Sequence, residues 1–399
     1  MVPNGWLHKQ IGEIASIQVG RDLVEDKYSE ISTTEYKYPV YSNTVENKGL
    51  YGFYNFPEYS GNAITIVGRG VGLGKAFARS PGESFGAIGR LLVLTPKNNS
   101  FDVIFFANYI NFALRIHNES GGIPQLPGAS LSKYFVMLPP LAEQQKIAQI
   151  LSTWDKAIAV TEQLLANSQQ QKKALMQQLL TGKKRLLDEN GVGFEGEWKI
   201  HSLGSLGDTY TGLTGKSKED FGSGKPYITY MNIFKNNRID IKQVDYVNIH
   251  ESENQNSVQY GDIFFTTSSE TAAEVGMSAV LLDEIEELYL NSFCFGFRLH
   301  HFQIMHPEFA AYIFRSNEIR KQIAILGQGA TRYNLSKNQL MKLELTLPNI
   351  EEQQKIAKVL STSDQEIEAL QHKLDCLQQE KKALMQQLLT GKRRVKVAA

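Results

Sequence analysis

The sequence predicts a mixed α/β protein: two globular α/β domains separated by two long helices that pair antiparallel as a coiled coil, the whole forming an internal repeat with pseudo-twofold symmetry. Three observations carry this. Leu138–Ala148 (LPPLAEQQKIA) returns as Leu347–Ala357 (LPNIEEQQKIA), so that Lys146 answers Lys355 at an offset of 209. Lys172–Lys183 (KKALMQQLLTGK) returns letter for letter as Lys381–Lys392 at the same offset. The stretch between these ends has therefore kept its length while much of its sequence changed. Finally, Trp198–Leu206 echoes Trp6–Ile14, with Leu203-Gly204 answering Ile11-Gly12. The resulting order is residues 1–137 as a first domain, 138–185 as a central helix, 186–346 as a second domain, and 347–399 as a C-terminal helix and tail.

A chain of 399 residues accommodates two or three domains with proper cores. Its apolar and charged fractions, 42% and 21%, are those of a globular protein rather than a disordered or fibrous one. The longest strongly apolar run, Val103–Ala107, is too short to span a bilayer, and the first residues have neither a basic region nor an apolar signal core. Two cysteines, Cys294 and Cys376, make no disulfide framework and suit a reducing compartment, so a cytoplasmic location without a membrane is expected. Forty-two basic side chains balance 42 acidic ones. Residues 138–185 carry 7 basic against 3 acidic, whereas 186–346 carry 14 against 21, so any nucleic-acid surface must be a patch.

In the first domain, alternation over Ala63–Val67 and the apolar run Leu91–Leu94 predict strands, and apolar spacing over Phe101–Ile116 predicts a helix. Gly68–Gly74 has Gly at every second position, which predicts a tight β-loop and not a Gly-x-Gly-x-x-Gly dinucleotide site. At Pro139-Pro140 the pattern becomes one helix. Alternate steps of four and three give a seam of Ile147, Leu151, Trp154, Ile158, Leu165, Leu175 and Leu179, interrupted by Thr161, Ser168 and Lys172. The second copy gives Ile356, Leu360, Ile367, Leu370, Leu374, Leu377, Leu384 and Leu388, with Ser363 and Lys381 as its polar members. The two seams match in register, so each is the natural cover for the other. The wet middle of the first seam is expected to bend, hydrate or meet a partner. Proline before each helix and Gly182 or Gly391 after it are the expected punctuation. Asn349 with Glu352 suggests a capping box, and Lys183–Arg185 and Lys392–Arg394 stand where the helix dipole favours cations.

In the second domain, Gly261–Phe265 reads as a turn into a strand and Pro307–Ile325 as one helix. Gly212–Ser217 invites a phosphate-loop reading, but its glycines are three apart instead of five, and a flexible loop is the better reading. His300, His301 and His306 cluster without a Cys or carboxylate at ligand spacing, so no metal site is expected. No catalytic centre is visible: the one Pro-Pro pair begins a helix.

With its duplicated Leu-Pro-x-x-x-Glu-Gln-x-x-Ile helices and Leu-Leu-Thr-Gly ends, the chain resembles, over essentially its whole length, the specificity subunit of type I restriction–modification enzymes. Tyr227–Asn232, Gly261–Ile263 and Thr267–Thr271 add to the resemblance. Asn349 in place of the usual second proline and the neutral overall charge depart from it. The resemblance implies a non-catalytic subunit with two target-recognition domains, each reading one half of a split site on double-stranded DNA. It implies helices that set the gap and dock two adenine-N6 methyltransferase subunits, which in turn bind restriction/translocase subunits. It implies no cofactor on this chain, with S-adenosylmethionine on the methyltransferase partner and ATP and Mg on the restriction partner.

Base edges need donors such as Arg, Asn, Gln and Lys, whereas phosphates accept almost any donor. The DNA-facing candidates are then Ser42, Asn43, Lys48, Tyr51, Arg69, Lys75 and Arg90 in the first domain. In the second they are Lys216, Lys218, Tyr230, Asn232, Lys235, Asn237, Arg238, Ser268, Ser269 and Arg332. The competing reading is an adaptor that binds no DNA and joins two protein-interaction domains through a coiled coil.

Overall fold

The computed structural model describes residues 3–118, 121–188, 190–329 and 331–396. The chain forms two compact units, one comprising residues up to Glu162 together with those from His372 onward, the other comprising Gln163–Gln371. Two 39-residue helices, Leu141–Leu179 and Ile350–Leu388, each contribute one half to either unit. Strong helix formers fill both, and neither contains an internal Gly or Pro. Within each unit the amino-terminal half of one helix runs antiparallel to the carboxy-terminal half of the other, as Asp155–Lys381 with Glu143–Arg394 in the first and Asp364–Lys172 with Glu352–Arg185 in the second require.

In the first unit, an antiparallel sheet runs in the order Ala15–Val19, Leu92–Pro96, Ala63–Ile66, Ala76–Arg79. The helix Val103–Ala113 covers it, begun by the Asp102 carboxylate accepting from the Ile104 and Phe105 amides. Its core joins Ile64, Leu94, Phe105 and Phe106 to Ile147 and Leu151 of the first long helix and Leu388 of the second. The second unit repeats the plan, with Gly207–Thr211, Cys294–Leu299, Ile263–Thr266 and Ser278–Val280 in the same sheet positions. Phe265, Phe295 and Phe309 there pack with Leu179, Ile356 and Leu360. A two-stranded ribbon closes each domain, Leu7–Gln10 on Phe135–Leu138 and Lys199–Ser202 on Glu344–Leu347. It brings the start of the domain to the residues just before the long helix. The repeat seen in the sequence is therefore a repeat of topology.

One expectation needs correction. Pro307–Ile325 is two helices, Pro307–Ile313 and Asn317–Leu326. The buried Ser316 hydroxyl caps the second by accepting from the Ile319 amide, and Arg315 turns inward at the break. The wet middle of the first seam lies within one continuous helix, and its polar side chains have partners. Ser168 donates to Glu366 (3.2 Å) and Lys172 pairs with Asp364, while Thr161 bonds back to the Ala157 carbonyl (2.8 Å). The Gly68–Gly74 loop is the tight β-connection expected. Gly72 has φ +87°, and a Cβ there would meet Val45 at 2.2 Å.

Candidate nucleic-acid interface

Ile147, Leu151, Leu165 and Leu179 of the first helix and Ile356, Leu360, Leu374 and Leu388 of the second are buried. Trp154, Ile158, Leu175, Ile367, Leu370, Leu377 and Leu384 are half-buried. The polar seam positions pair across in a repeated pattern: Lys172 with Asp364 in one unit, and Lys381 with Asp155 in the other. These are the same two positions of the repeat with partners exchanged.

The Glu-Gln of each helix start also has a defined role. Both carboxylate oxygens of buried Glu352 accept from Arg185, at 2.6 and 2.7 Å, and both of Glu143 accept from Arg394 at 2.6 Å. The cationic end of one helix thus clamps the first turn of the other by a bidentate, charge-assisted pair, a more specific arrangement than a dipole contact. The capping box expected at Asn349 is only half formed. Asn349 accepts from the Glu352 amide (2.9 Å), but the Glu352 carboxylate is held by Arg185. The adjacent glutamines tie helix to domain. Gln144 accepts from the Asp102 amide and donates to the Pro139 carbonyl, both at 2.9 Å. Gln353 accepts from the His306 amide (2.9 Å) and donates to the Ile304 and Pro348 carbonyls at 2.7 and 2.9 Å. Gly182 and Gly391 end the helices at φ +69° and +71°, and Trp198 and Trp6 lie against them.

In the first unit, the Asn43 amide draws several candidates into one loop cluster. Its oxygen accepts from the Gly68 amide (2.8 Å) and its nitrogen donates to the Gly89 carbonyl, which gathers Ser42, Arg69 and Arg90 nearby. Arg90 is exposed with φ +67°; Ser42 and Arg69 are half-buried. Lys48 and Lys75 stand apart, both exposed, in a cleft of about 640 Å³ shared with Asp155, Lys156 and Lys381. Tyr51 is exposed on the strand Leu50–Tyr54, its ring 5.6 Å from that of Tyr28. Sequence reasoning missed Arg79, which is buried and donates to the Thr65 hydroxyl (2.8 and 3.1 Å) and the Lys48 carbonyl (2.6 Å). Its guanidinium lies 3.3 Å from the centre of the Tyr41 ring. Burial holds its pKa down, and burial together with the Glu83 hydrogen bond pushes the Tyr41 phenol up to about 12.

In the second unit, Tyr230, Ser268, Ser269 and Arg332 line one cleft of about 690 Å³. Tyr230 stacks on Phe234 one helical turn away and donates to the Ser268 carbonyl (2.8 Å), and burial raises its pKa. Exposed Met231 with Phe234, Glu270, Glu274 and Thr331 complete the lining and were not anticipated; the i, i+4 aromatic pair on the short helix Tyr230–Lys235 was the available signal. Other candidates are committed internally. The Asn232 amide is buried, donating to the Asp240 and Gln243 carbonyls (both 2.8 Å) and accepting from the Asp240 amide (3.0 Å). Lys216 is buried, donating to the Asn248 carbonyl (2.6 Å) and to Glu253 (2.5 Å), and that hydrogen bond lowers the Glu253 carboxyl to about 2. Arg238 donates to the Tyr312 hydroxyl (3.1 Å), which itself donates to Asp364 (2.8 Å). Lys235 and Lys218 are exposed and Asn237 half-buried, outside the cleft lining.

Among the described residues there is no group of three or more His, Cys, Asp and Glu side chains that could hold a metal ion, and no helix is long and apolar enough to cross a membrane. The arrangement offers donors and stacking faces on loops, and two long helices, each clamped at its first turn by the cationic end of the other. The family model for the type I restriction modification DNA specificity domain matches twice, over residues 3–167 and 195–379. The chain belongs to this family.

It is accordingly a type I DNA specificity subunit, the non-catalytic member of its system, and the adaptor reading falls away. The specificity subunit of the MjaVIII type I restriction enzyme of Methanocaldococcus jannaschii is 24% identical over 426 aligned residues, covering 99% of this chain and 94% of that one. A putative type I specificity subunit of Mycoplasma pneumoniae is 31% identical over 172 residues, 42% of this chain and 54% of the relative. The S subunit from M. genitalium has the same fold, with a TM-score of 0.63 at 16% identity, covering 97% of this chain and 99% of that one. A chain from a type I system studied for complex assembly and conformational transition aligns with a TM-score of 0.54 at 17% identity, covering 98% of this chain and all of the other.

Proposed function

We propose that this specificity subunit reads a bipartite site on double-stranded DNA, one half-site per domain, with the paired helices setting the gap. The target-recognition domains are residues 1–137 and 186–346, and the spacers 138–185 and 347–399, of which residues 1–2, 119–120, 189, 330 and 397–399 lie outside those described. One observation carries the reading. The frame contacts recur with partners exchanged (Arg185–Glu352 against Arg394–Glu143, Lys172–Asp364 against Lys381–Asp155), whereas among the described residues the second domain's ion pairs Lys216–Glu253 and Lys225–Glu287 have no counterpart in the first. A shared frame with different loop content is what two readers of different half-sites need. A 39-residue helix is about 58 Å long. That exceeds the roughly 34–36 Å between half-sites one turn apart and leaves length for docking partners.

In the first domain the reading surface is the loop cluster of Ser42, Arg69 and Arg90 with Lys48, Lys75 and Tyr51; Asn43 holds the loops together. In the second it is the cleft of Tyr230, Ser268, Ser269 and Arg332, with Lys235 at the end of its short helix, Asn237 just beyond and exposed Lys218 as a further donor, while Asn232, Lys216 and Arg238 are committed within the fold. The helices dock two adenine-N6 methyltransferase subunits carrying S-adenosylmethionine. These bind restriction/translocase subunits using ATP and Mg, all in the cytoplasm. The methyltransferase partners flip the target adenine out of the stack. Mapping methylated adenines in cells with and without this chain tests the reading. Loss of one bipartite motif on deletion supports it; an unchanged methylation pattern contradicts it.

A further inference from the structure

The second unit holds two arginines, Arg315 and Arg320, whose guanidinium groups hydrogen-bond to backbone oxygens. Arg315 donates to the carbonyls of Ile233 (2.6 Å), Phe234 (3.2 Å), Asn236 (2.6 Å) and Ser278 (2.7 Å). Arg320 donates to those of Gly276 (2.6 Å), Val275 (2.6 Å) and Ala273 (2.9 Å). Among the described residues neither forms an ion pair. Burial depresses both, Arg315 to about 10, with the neighbouring Arg320 charge adding to the effect.

A desolvated cation without a carboxylate is an expensive way to fill space, and apolar side chains of similar volume usually do as well or better. What a guanidinium offers instead is a rigid planar fork of five donors. Here the fork spans segments far apart in sequence. The Ile233, Phe234 and Asn236 carbonyls sit at the end of the short helix Tyr230–Lys235, where the last carbonyls lack helical partners. The Ser278 carbonyl begins the strand Ser278–Val280, and the Ala273–Gly276 carbonyls belong to the loop leading into it. The pinned segments carry Phe234 and Glu274 of the cleft, and Lys235, Asn237 and Arg238 adjoin them. The break between Pro307–Ile313 and Asn317–Leu326 is what turns Arg315 inward to do this.

We infer that Arg315 and Arg320 are positioning residues for discrimination of the second half-site, fixing the cleft-bearing segments without themselves contacting DNA. The inference rests on the bipartite reading above. Lysine retains the charge but concentrates its three donors at one nitrogen, so it cannot span the carbonyls that either arginine joins.

The test uses the full chain in its complex with methyltransferase partners, comparing wild type with Arg315→Lys and Arg320→Lys. Methylation is scored on duplexes carrying single mismatches in either half-site, alongside thermal melting of each complex. A base mismatch ordinarily costs on the order of ten- to hundredfold in specific binding. The expected result is a roughly tenfold loss of discrimination in the second half-site, with discrimination in the first unchanged. Discrimination equal to wild type in both halves, or an equal loss in both with a lowered melting temperature, overturns the inference, the latter showing a merely structural role. A wild-type complex with no bipartite preference overturns the underlying reading as well, whereas a bipartite wild type with unaltered variants overturns this inference alone.

Discussion

Replacing Arg185 by alanine is the sharpest probe of the helix frame. Its guanidinium is 28% exposed and engages both oxygens of a Glu352 side chain that is 0% exposed. Two hydrogen bonds of 2.6 and 2.7 Å and a third to the Gly196 carbonyl at 3.0 Å fix the pair. Removing the cation leaves a fully buried carboxylate without its partner, which costs about 3–5 kcal/mol where such pairs have been broken. For a unit of this size that is on the order of 10 °C in melting temperature. Replacing both partners, as in Arg185→Met with Glu352→Met, removes the stranded charge and is expected to cost less than Arg185→Ala alone. Urea unfolding of the three proteins, followed by circular dichroism, measures this. A single-mutant cost below about 1 kcal/mol, the range of exposed pairs, or a double mutant worse than the single one would refute the reasoning.

Three further outcomes follow from the geometry. Both glycines that end the long helices are left-handed, so Gly182→Ala should cost about 1–2 kcal/mol; Gly391→Ala should cost more, because its Cβ would meet Pro3 at 2.4 Å, and comparison of urea midpoints decides between them. The Glu253 carboxyl, held at about 2 chiefly by Lys216, has a folded pKa below its ordinary value; its stabilisation is therefore complete above about pH 4.5 and lost as pH falls through about 2. Carboxyl titration by NMR should show the low midpoint, and Lys216→Met should move it back toward the ordinary value. Arg332→Ala should cost about 1–3 kcal/mol in the preference for the cognate second half-site and leave the first half-site preference intact, as competition binding with half-site variants would report.

The long helices were legible because a seam needs only local period: Ile147 to Leu179 and Ile356 to Leu388 declare themselves in the sequence, and the matched register points to each other as cover. The sheet strands at Ala63 and Ile263 were legible for the same reason. The clamps were not. Glu352 read as the capping-box partner of Asn349 and Glu143 carried no signal, since nothing local ties them to arginines 167 and 251 residues away. Pro307–Ile325 read as one helix because its apolar spacing continues through the break, while the break depends on Ser316 and on the carbonyls that receive Arg315. At the candidate interface, donor chemistry found Tyr230, Ser268, Ser269 and Arg332, which tertiary folding brings together. The same criterion could not separate them from Lys216 and Asn232, whose donors are committed within the fold. Met231 and Phe234, on the short helix Tyr230–Lys235, escaped notice because an apolar side chain carries no donor signal.

The claim at the centre is that the helix pair sets only the gap between what the two domains read. Inserting one heptad into each long helix, at matched positions of the repeat, and then mapping the methylated motif tests it directly. The account predicts a longer gap between two unchanged half-sites. Altered half-site sequences at an unchanged gap would contradict it.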